Sequence, residues 1–204
     1  EMSVFDGAQE YIFRHTILHD VTYESVLRRV RRVYHAQVAE WLIERSGDRL
    51  SEYTGMIARH YEQAGQALKA VDYFSRAAEG ALNISAYHEA LDWAERALSL
   101  LQDVDQDTTP SMIALEARLK AQMGQAYRWL SDFARARDFY EASLKLYKSA
   151  DDKAGIVHLL YELGWLVGTI MRRYAEAEAY FQDSFNMAQA IDDKRGVAWA
   201  LNGL

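Results

Sequence analysis

From residue 49 onward, apolar positions return every three or four residues, separated by charged and small polar ones. A 3.6-residue period of this kind predicts amphipathic helices, here over 51–64, 67–84, 87–101, 111–130, 133–149, 153–171, 174–191 and from 194 on. Upstream, Leu18, Val21, Tyr23, Val26, Leu27, Val30, Tyr34, Val38, Trp41 and Leu42 recur at the same spacing. Two helices broken near 28–31 fit that stretch, and Ser46-Gly47-Asp48 closes it. Only the first residues read differently. Segments 2–5 and 10–14 are aromatic and β-branched and flank Asp6-Gly7, which predicts a small hairpin.

The helical pattern repeats. Asp151-Asp152-Lys153-Ala154-Gly155-Ile156 lies over Asp192-Asp193-Lys194-Arg195-Gly196-Val197 at an offset of 41 residues. The same offset carries Phe133-Ala134-Arg135-Ala136 onto Tyr174-Ala175-Glu176-Ala177, and Tyr140 onto Phe181. Small residues recur where two helices must approach closely, and aromatics recur where a gap must be filled.

These positions resemble the tetratricopeptide repeat pattern, in which a small residue, an aromatic, an alanine and a second aromatic stand at fixed spacing. Met123-Gly124, Tyr127, Ala136 and Tyr140 make one unit; Leu160, Leu163-Gly164, Ala177 and Phe181 make the next. A weaker unit has Ile57-Ala58, Tyr61, Ala70 and Phe74, and runs into Ala90, Ala94 and Ala97. The fold expected is all-α: a right-handed α-solenoid of tetratricopeptide-like helix pairs with a period of about 40, longer than the usual ~34, preceded by the hairpin and first helices. The offset would place the next repeat glycine just beyond Leu204, so the array is expected to continue and the chain to be a slice of a longer protein. Val197, Leu201 and Leu204 at that end leave room for self-association.

Composition narrows the chemistry. The chain has 204 residues, a formal charge of −7, a single proline and no cysteine. Disulfides, thiolate metal sites and cysteine nucleophiles are thereby excluded, and a reducing, cytoplasmic setting is expected. The acidic balance argues against nucleic acid as a partner, and no apolar run is long enough for a membrane span. No cofactor is expected. None of the eleven glycines precedes a lysine and no two stand two apart, which removes the phosphate-loop and dinucleotide fingerprints.

Weaker motifs fail on detail. Asp103-Val104-Asp105-Gln106-Asp107 opens like a calcium loop, but Thr108 replaces the required glycine and Ala114 the bidentate glutamate, leaving an acidic linker over 103–110. His15 and His19 have the four-residue spacing of metal ligands, yet Thr16 stands where the glutamate of H-E-x-x-H belongs. Arg28-Arg29-Val30-Arg31-Arg32 has the composition to contact nucleic acid, anionic lipid or an acidic partner surface, but it spreads its charges around a helix whose Leu27, Val30 and Tyr34 are expected to face inward, so it reads as a solvated face with salt bridges to local glutamates.

What remains is surface. The first helix of each pair lines the inner side of such an array, where binding usually occurs. In the tetratricopeptide register this places Arg118, Gln125, Arg128 and Trp129 inward from one repeat, His158, Tyr161 and Trp165 from the next, and Trp199 and Asn202 from the last. Arg59 and Glu62 take the same role upstream. Tryptophan, tyrosine and arginine are hot-spot residues, but the tryptophans also suit gaps between helices, and both roles remain open.

The stretch Tyr11-Ile12-Phe13-Arg14-His15 through Val26-Leu27, then Arg31-Arg32 and His35-Ala36-Gln37-Val38-Ala39-Glu40-Trp41-Leu42, resembles the segment following the ATPase module in large bacterial signalling ATPases. Ala58-Arg59-His60-Tyr61-Glu62-Gln63-Ala64-Gly65 resembles the junction into their repeats. The resemblance implies that 1–48 is the tail of a winged-helix-like domain, 49–102 a degenerate helical repeat and 111–204 the repeats proper. It further implies a non-enzymatic sensor or docking arm that binds a protein or peptide, or other domains of its parent. The alternative is a domain that senses a small-molecule inducer.

Overall fold

The computed structural model describes residues 13–104 and 109–204. Among these, every regular element is helical: α1 Thr16–Ser25, α2 Arg28–Ser46, α3 Leu50–Gln63, α4 Ala67–Asn83, α5 Tyr87–Gln102, α6 Pro110–Trp129, α7 Phe133–Ser149, α8 Lys153–Trp165, α9 Tyr174–Ala190 and α10 Lys194–Gly203. The expected hairpin falls almost wholly outside the described residues, and Phe13 and Arg14 are not strand. The first two helices part at Val26-Leu27, slightly earlier than the arginine run. Half of the acidic linker is likewise outside the described residues, but Pro110 opens α6 with Thr109 as its cap, accepting from the Met112 N–H. The chain forms two compact units, one through Arg76 and one from Ala77, dividing within α4.

In the second unit the turns follow one recipe. Ser85, Ser131, Asp151, Arg172 and Asp192 adopt positive φ and are each followed by the residue that starts the next helix. The N–H of that next residue reaches back to close the preceding helix: Asp132 to the Tyr127 carbonyl, Asp152 to Tyr147 and Asp193 to Ala188, each over five residues. Asp132, Asp152 and Asp193 then cap the following helix with their carboxylates, accepting from Arg135, Gly155 and Gly196 N–H groups. Here the repeated aspartates show their use.

Repeated glycines and aromatics hold the helix pairs together. A Cβ on Gly124 of α6 would stand 2.5 Å from the Tyr140 ring of α7, and one on Gly164 of α8 2.7 Å from the Phe181 ring of α9. Phe181 also lies against Gly203 of α10, and Tyr147 of α7 against Gly155 of α8. Contacts pair Gly124 with Tyr140 and Ala117 with Ser143, so partners ascend along one helix as they descend along the other, and the pair is antiparallel. Ser143 donates to the Ala117 carbonyl at 2.6 Å, and 41 residues on Ser184 donates to the Val157 carbonyl at 3.0 Å; both serines are fully buried. Burying a side chain such as Phe181 contributes roughly 1.5–3 kcal/mol.

One irregularity breaks the repeat. The first helices of the two pairs are offset by 40 residues, Gly124 to Gly164, whereas the second helices are offset by 41, Tyr140 to Phe181. The extra residue must sit between Gly164 and Arg172. There the chain runs as a π-helix, Leu166–Ile170, where the sequence alone predicted continuous α-helix over 153–171. A π-turn absorbs one residue without breaking the helix. The closing bond of that turn accordingly spans six residues, from the Arg173 N–H to the Val167 carbonyl.

The first unit departs from expectation on α1 and α2. Leu27 is 62% exposed and Tyr34 57%, while Val30 is half-buried, so these residues do not form an inward face. Leu18, Val21, Val38 and Trp41 are exposed as well. Against α3, α2 instead buries Ala39, Leu42 and Ser46 and half-buries His35, a stripe at i, i+4, i+7 and i+11 on its other side. Ile57, Ala58, Tyr61, Ala70 and Phe74, the weak repeat unit, are all buried as the repeat pattern requires.

Candidate partner-binding face

The residues that the repeat register points inward from α6, α8 and α10 largely meet on one face of the second unit. Its centre is Arg128. The guanidinium lies 4.9 Å from the Trp129 ring centre and 4.8 Å from that of Trp165, a cation held between two indoles. It also sits 3.6 Å from the Glu162 carboxylate, and the same oxygen accepts a hydrogen bond from Tyr140 at 3.2 Å. The two charged side chains are only 13% and 14% exposed. Arg128 Nε has no hydrogen-bond partner. Removing one member of such a pair would strand the other charge, which makes the cluster sensitive to mutation.

Burial, reinforced by Glu162, pushes the Tyr140 hydroxyl far above its ordinary range, so it remains a donor. His158 lies 3.9 Å from Glu162 on the next turn. Its pKa is lowered, chiefly by burial; Glu162 opposes that shift, while Arg195 and Arg128 add to it. At neutral pH the imidazole is therefore uncharged, and Arg128 supplies the positive charge facing Glu162.

A second aromatic group adjoins the first. Trp199 of α10 stacks on Tyr161 of α8 with centres 5.9 Å apart, meets His158 edge-on at 5.6 Å, and carries Arg195 over its ring at 4.5 Å. Trp129, 54% exposed, stacks on Tyr87 of α5 at 6.0 Å. Arg128, Trp129, His158, Tyr161, Trp165 and Trp199 are thus brought together. Arg118 is half-buried near Tyr147, where it tempers a burial effect that raises the phenol to about 12. Gln125 is half-buried on α6. Asn202 is exposed and lines a cavity of about 720 Å³ together with Tyr161, Trp165, Tyr174 and Phe181. Arg59 and Glu62 belong to the first unit, exposed and half-buried respectively.

Sequence reasoning missed Glu162, Arg195 and Tyr87. The first two were detectable, since Glu162 stands four residues after His158 and Arg195 four before Trp199, a spacing that places both members on one helix face. Tyr87 gave no such signal. Among the described residues, no three His, Asp or Glu side chains converge on a metal position; His15 stands before α1 in extended backbone without a side-chain capping bond, and His19 bonds Asp20 at 2.9 Å. No helix among them is long and apolar enough to cross a membrane. Leu201 and Leu204 are exposed, but Val197 is half-buried.

Comparison with known proteins agrees with the geometry. Residues 114–190 match the family model described as tetratricopeptide repeat. A stretch of 111 residues, 54% of the chain, is 32% identical to the uncharacterized protein R02095 of Rhizobium meliloti (strain 1021), of which it spans 11%. The crystal structure of the apo form of RapI superposes with a TM-score of 0.65 at 16% identity, over 91% of this chain and 50% of that one. The chain therefore spans about a tenth of the curated relative and half of the solved neighbour. Glycine-on-aromatic pairs, duplicated serine bonds and the family match together identify a tetratricopeptide repeat region in this chain.

Proposed function

We propose that the chain is a non-catalytic docking or sensor arm of a larger signalling ATPase, and that the face shared by α6, α8 and α10 binds a segment of a protein partner. The observation that carries this reading is the gathering of Trp129, Trp165 and Trp199, three of the five tryptophans in the sequence, around Arg128 and Tyr161. Large aromatic rings with a fixed cation form the anchor type that dominates protein interfaces. The ATPase parent rests on the resemblance of residues 11–42 and 58–65.

The test is a selection of random displayed peptides against the chain. Enriched peptides should bind the parent protein and lose about 2 kcal/mol or more of affinity in Trp129→Ala and Trp199→Ala, a hot-spot effect. Asp183→Ala, exposed on α9 and outside that face and its cavity, should leave binding intact. Peptides indifferent to both tryptophan variants would reject the face.

A small-molecule reading is favoured by the 720 Å³ cavity, whose size suits a ligand and whose wall carries Tyr161, Trp165 and Glu178. In a thermal-shift screen, a metabolite that raises the melting temperature of the parent, and not that of Trp165→Ala, would favour it.

A further inference from the structure

The first turn of α2 breaks an elementary rule of helix electrostatics. Arg28, Arg29 and Arg31 occupy it with Arg32 beside them, no acidic residue stands there, and Leu27 at the N-cap offers no side-chain acceptor. The N-terminal end of a helix is already positive, so cations placed there are repelled. Arg28, Arg29 and Arg32 are exposed and acquire no ion pair among the described residues. Local rules broken without compensation mark functional sites.

The arginines do not merely radiate into solvent. Arg28, Arg31 and Arg32 line a cavity of about 370 Å³ with Tyr23 of α1 and Glu62 and Gly65 at the end of α3. Arg31 is held over the Tyr23 ring at 4.6 Å, and Tyr23 is itself fixed by a 2.9 Å hydrogen bond to His35. Arg32 packs over the α3–α4 turn, its Nε 3.6 Å from where a Cβ on Gly65 would lie. Three guanidinium groups face one carboxylate, a local excess of two positive charges in a chain of formal charge −7.

We propose that this cavity binds a phosphoryl group. Guanidinium forks donate paired hydrogen bonds to oxygen anions. A carboxylate offers two oxygens, enough for one fork; a phosphoryl or pyrophosphoryl group offers several in different directions, which suits three guanidinium groups lining one cavity. The cavity is of a size that accepts a small organic phosphate. The group could belong to a soluble phosphate or to a lipid headgroup, both presenting the same oxygens.

Calorimetric titration with inorganic pyrophosphate, with sodium chloride at equal ionic strength as control, tests the assignment. The chain should bind pyrophosphate saturably, and Arg28→Gln/Arg32→Gln should weaken binding at least about tenfold. The double variant relieves the clash with the helix dipole, so its ligand-free melting temperature should hold or rise. Should it fall, Arg28→Lys/Arg32→Lys keeps the charge while losing the forks, and must show the same loss of affinity. Arg29→Gln removes a neighbouring positive charge outside the cavity and should retain binding. Arginine-dependent flotation with phosphatidylglycerol vesicles would assign the group to a lipid, and its absence to a soluble phosphate. No saturation by pyrophosphate, equal losses in Arg29→Gln and the double variant, or displacement of pyrophosphate by polyglutamate at lower concentration than by phosphate, would overturn the proposal.

Discussion

Gly164 and Phe181 touch so closely that a methyl group on the glycine would stand 2.7 Å from the ring, and the ring has nowhere to retreat, because Gly203 presses on it from α10. Gly164→Ala should therefore destabilise the protein by about 1–3 kcal/mol through overpacking. Gly80, in α4, has nothing within 4 Å of its missing Cβ. Gly80→Ala should instead stabilise by up to about 1 kcal/mol from helix propensity. Paired urea melts would show the opposite signs; equal shifts would mean that the glycines serve no close approach.

The π-turn predicts that one residue can be removed where the repeat gained one. Deleting Thr169, which is exposed within Leu166–Ile170, should restore α-helical winding and keep stability within about 1 kcal/mol of the parent. Deleting Lys120 in regular α6 should cost several times more, because every side chain on one flank would rotate off its partner. Thermal melts of the two deletions provide the comparison.

In the first unit His35 and His60 share a 2.9 Å Nδ1–Nδ1 hydrogen bond that needs one ring to accept. His35 is also bonded to Tyr23 of α1 and faces Arg31 on α2. Burial first, then Arg31 for His35 and His35 for His60, lowers both pKa values below 6.5. The unfolded chain thus takes up protons more readily than the folded one. Stability is full above about pH 6.5 and falls as pH drops through the folded-state values. Amide protection factors in α2 and α3, corrected for the intrinsic pH dependence of exchange, should fall between about pH 7 and 5.5, and less so in His60→Asn. An unchanged profile in that variant would show that the pair does not set the response.

Helix positions and the repeat were legible because they depend on spacing, and spacing is a local property; the same spacing set Arg128, Trp129, His158, Tyr161, Trp165 and Trp199 at neighbouring places on α6, α8 and α10. Gly124, Gly164, Tyr140 and Phe181 announce close packing by size alone. The π-turn was hidden by a one-residue difference between two offsets, 40 and 41, visible only when the first and second helices are aligned separately. The α1–α2 face was misjudged because Leu27, Val30 and Tyr34 form a good apolar stripe, and choosing between that stripe and Ala39, Leu42 and Ser46 needs knowledge of where α3 lies. Glu162 carries no local sign that Arg128 and Tyr140 reach it from other helices.

Hydrogen exchange with and without a selected peptide reads directly which face of the repeat region receives a partner. Protection confined to α6, α8 and α10, and abolished in Trp129→Ala, is the result expected. Protection mapping to α7 and α9, with α6, α8 and α10 unchanged, would contradict it.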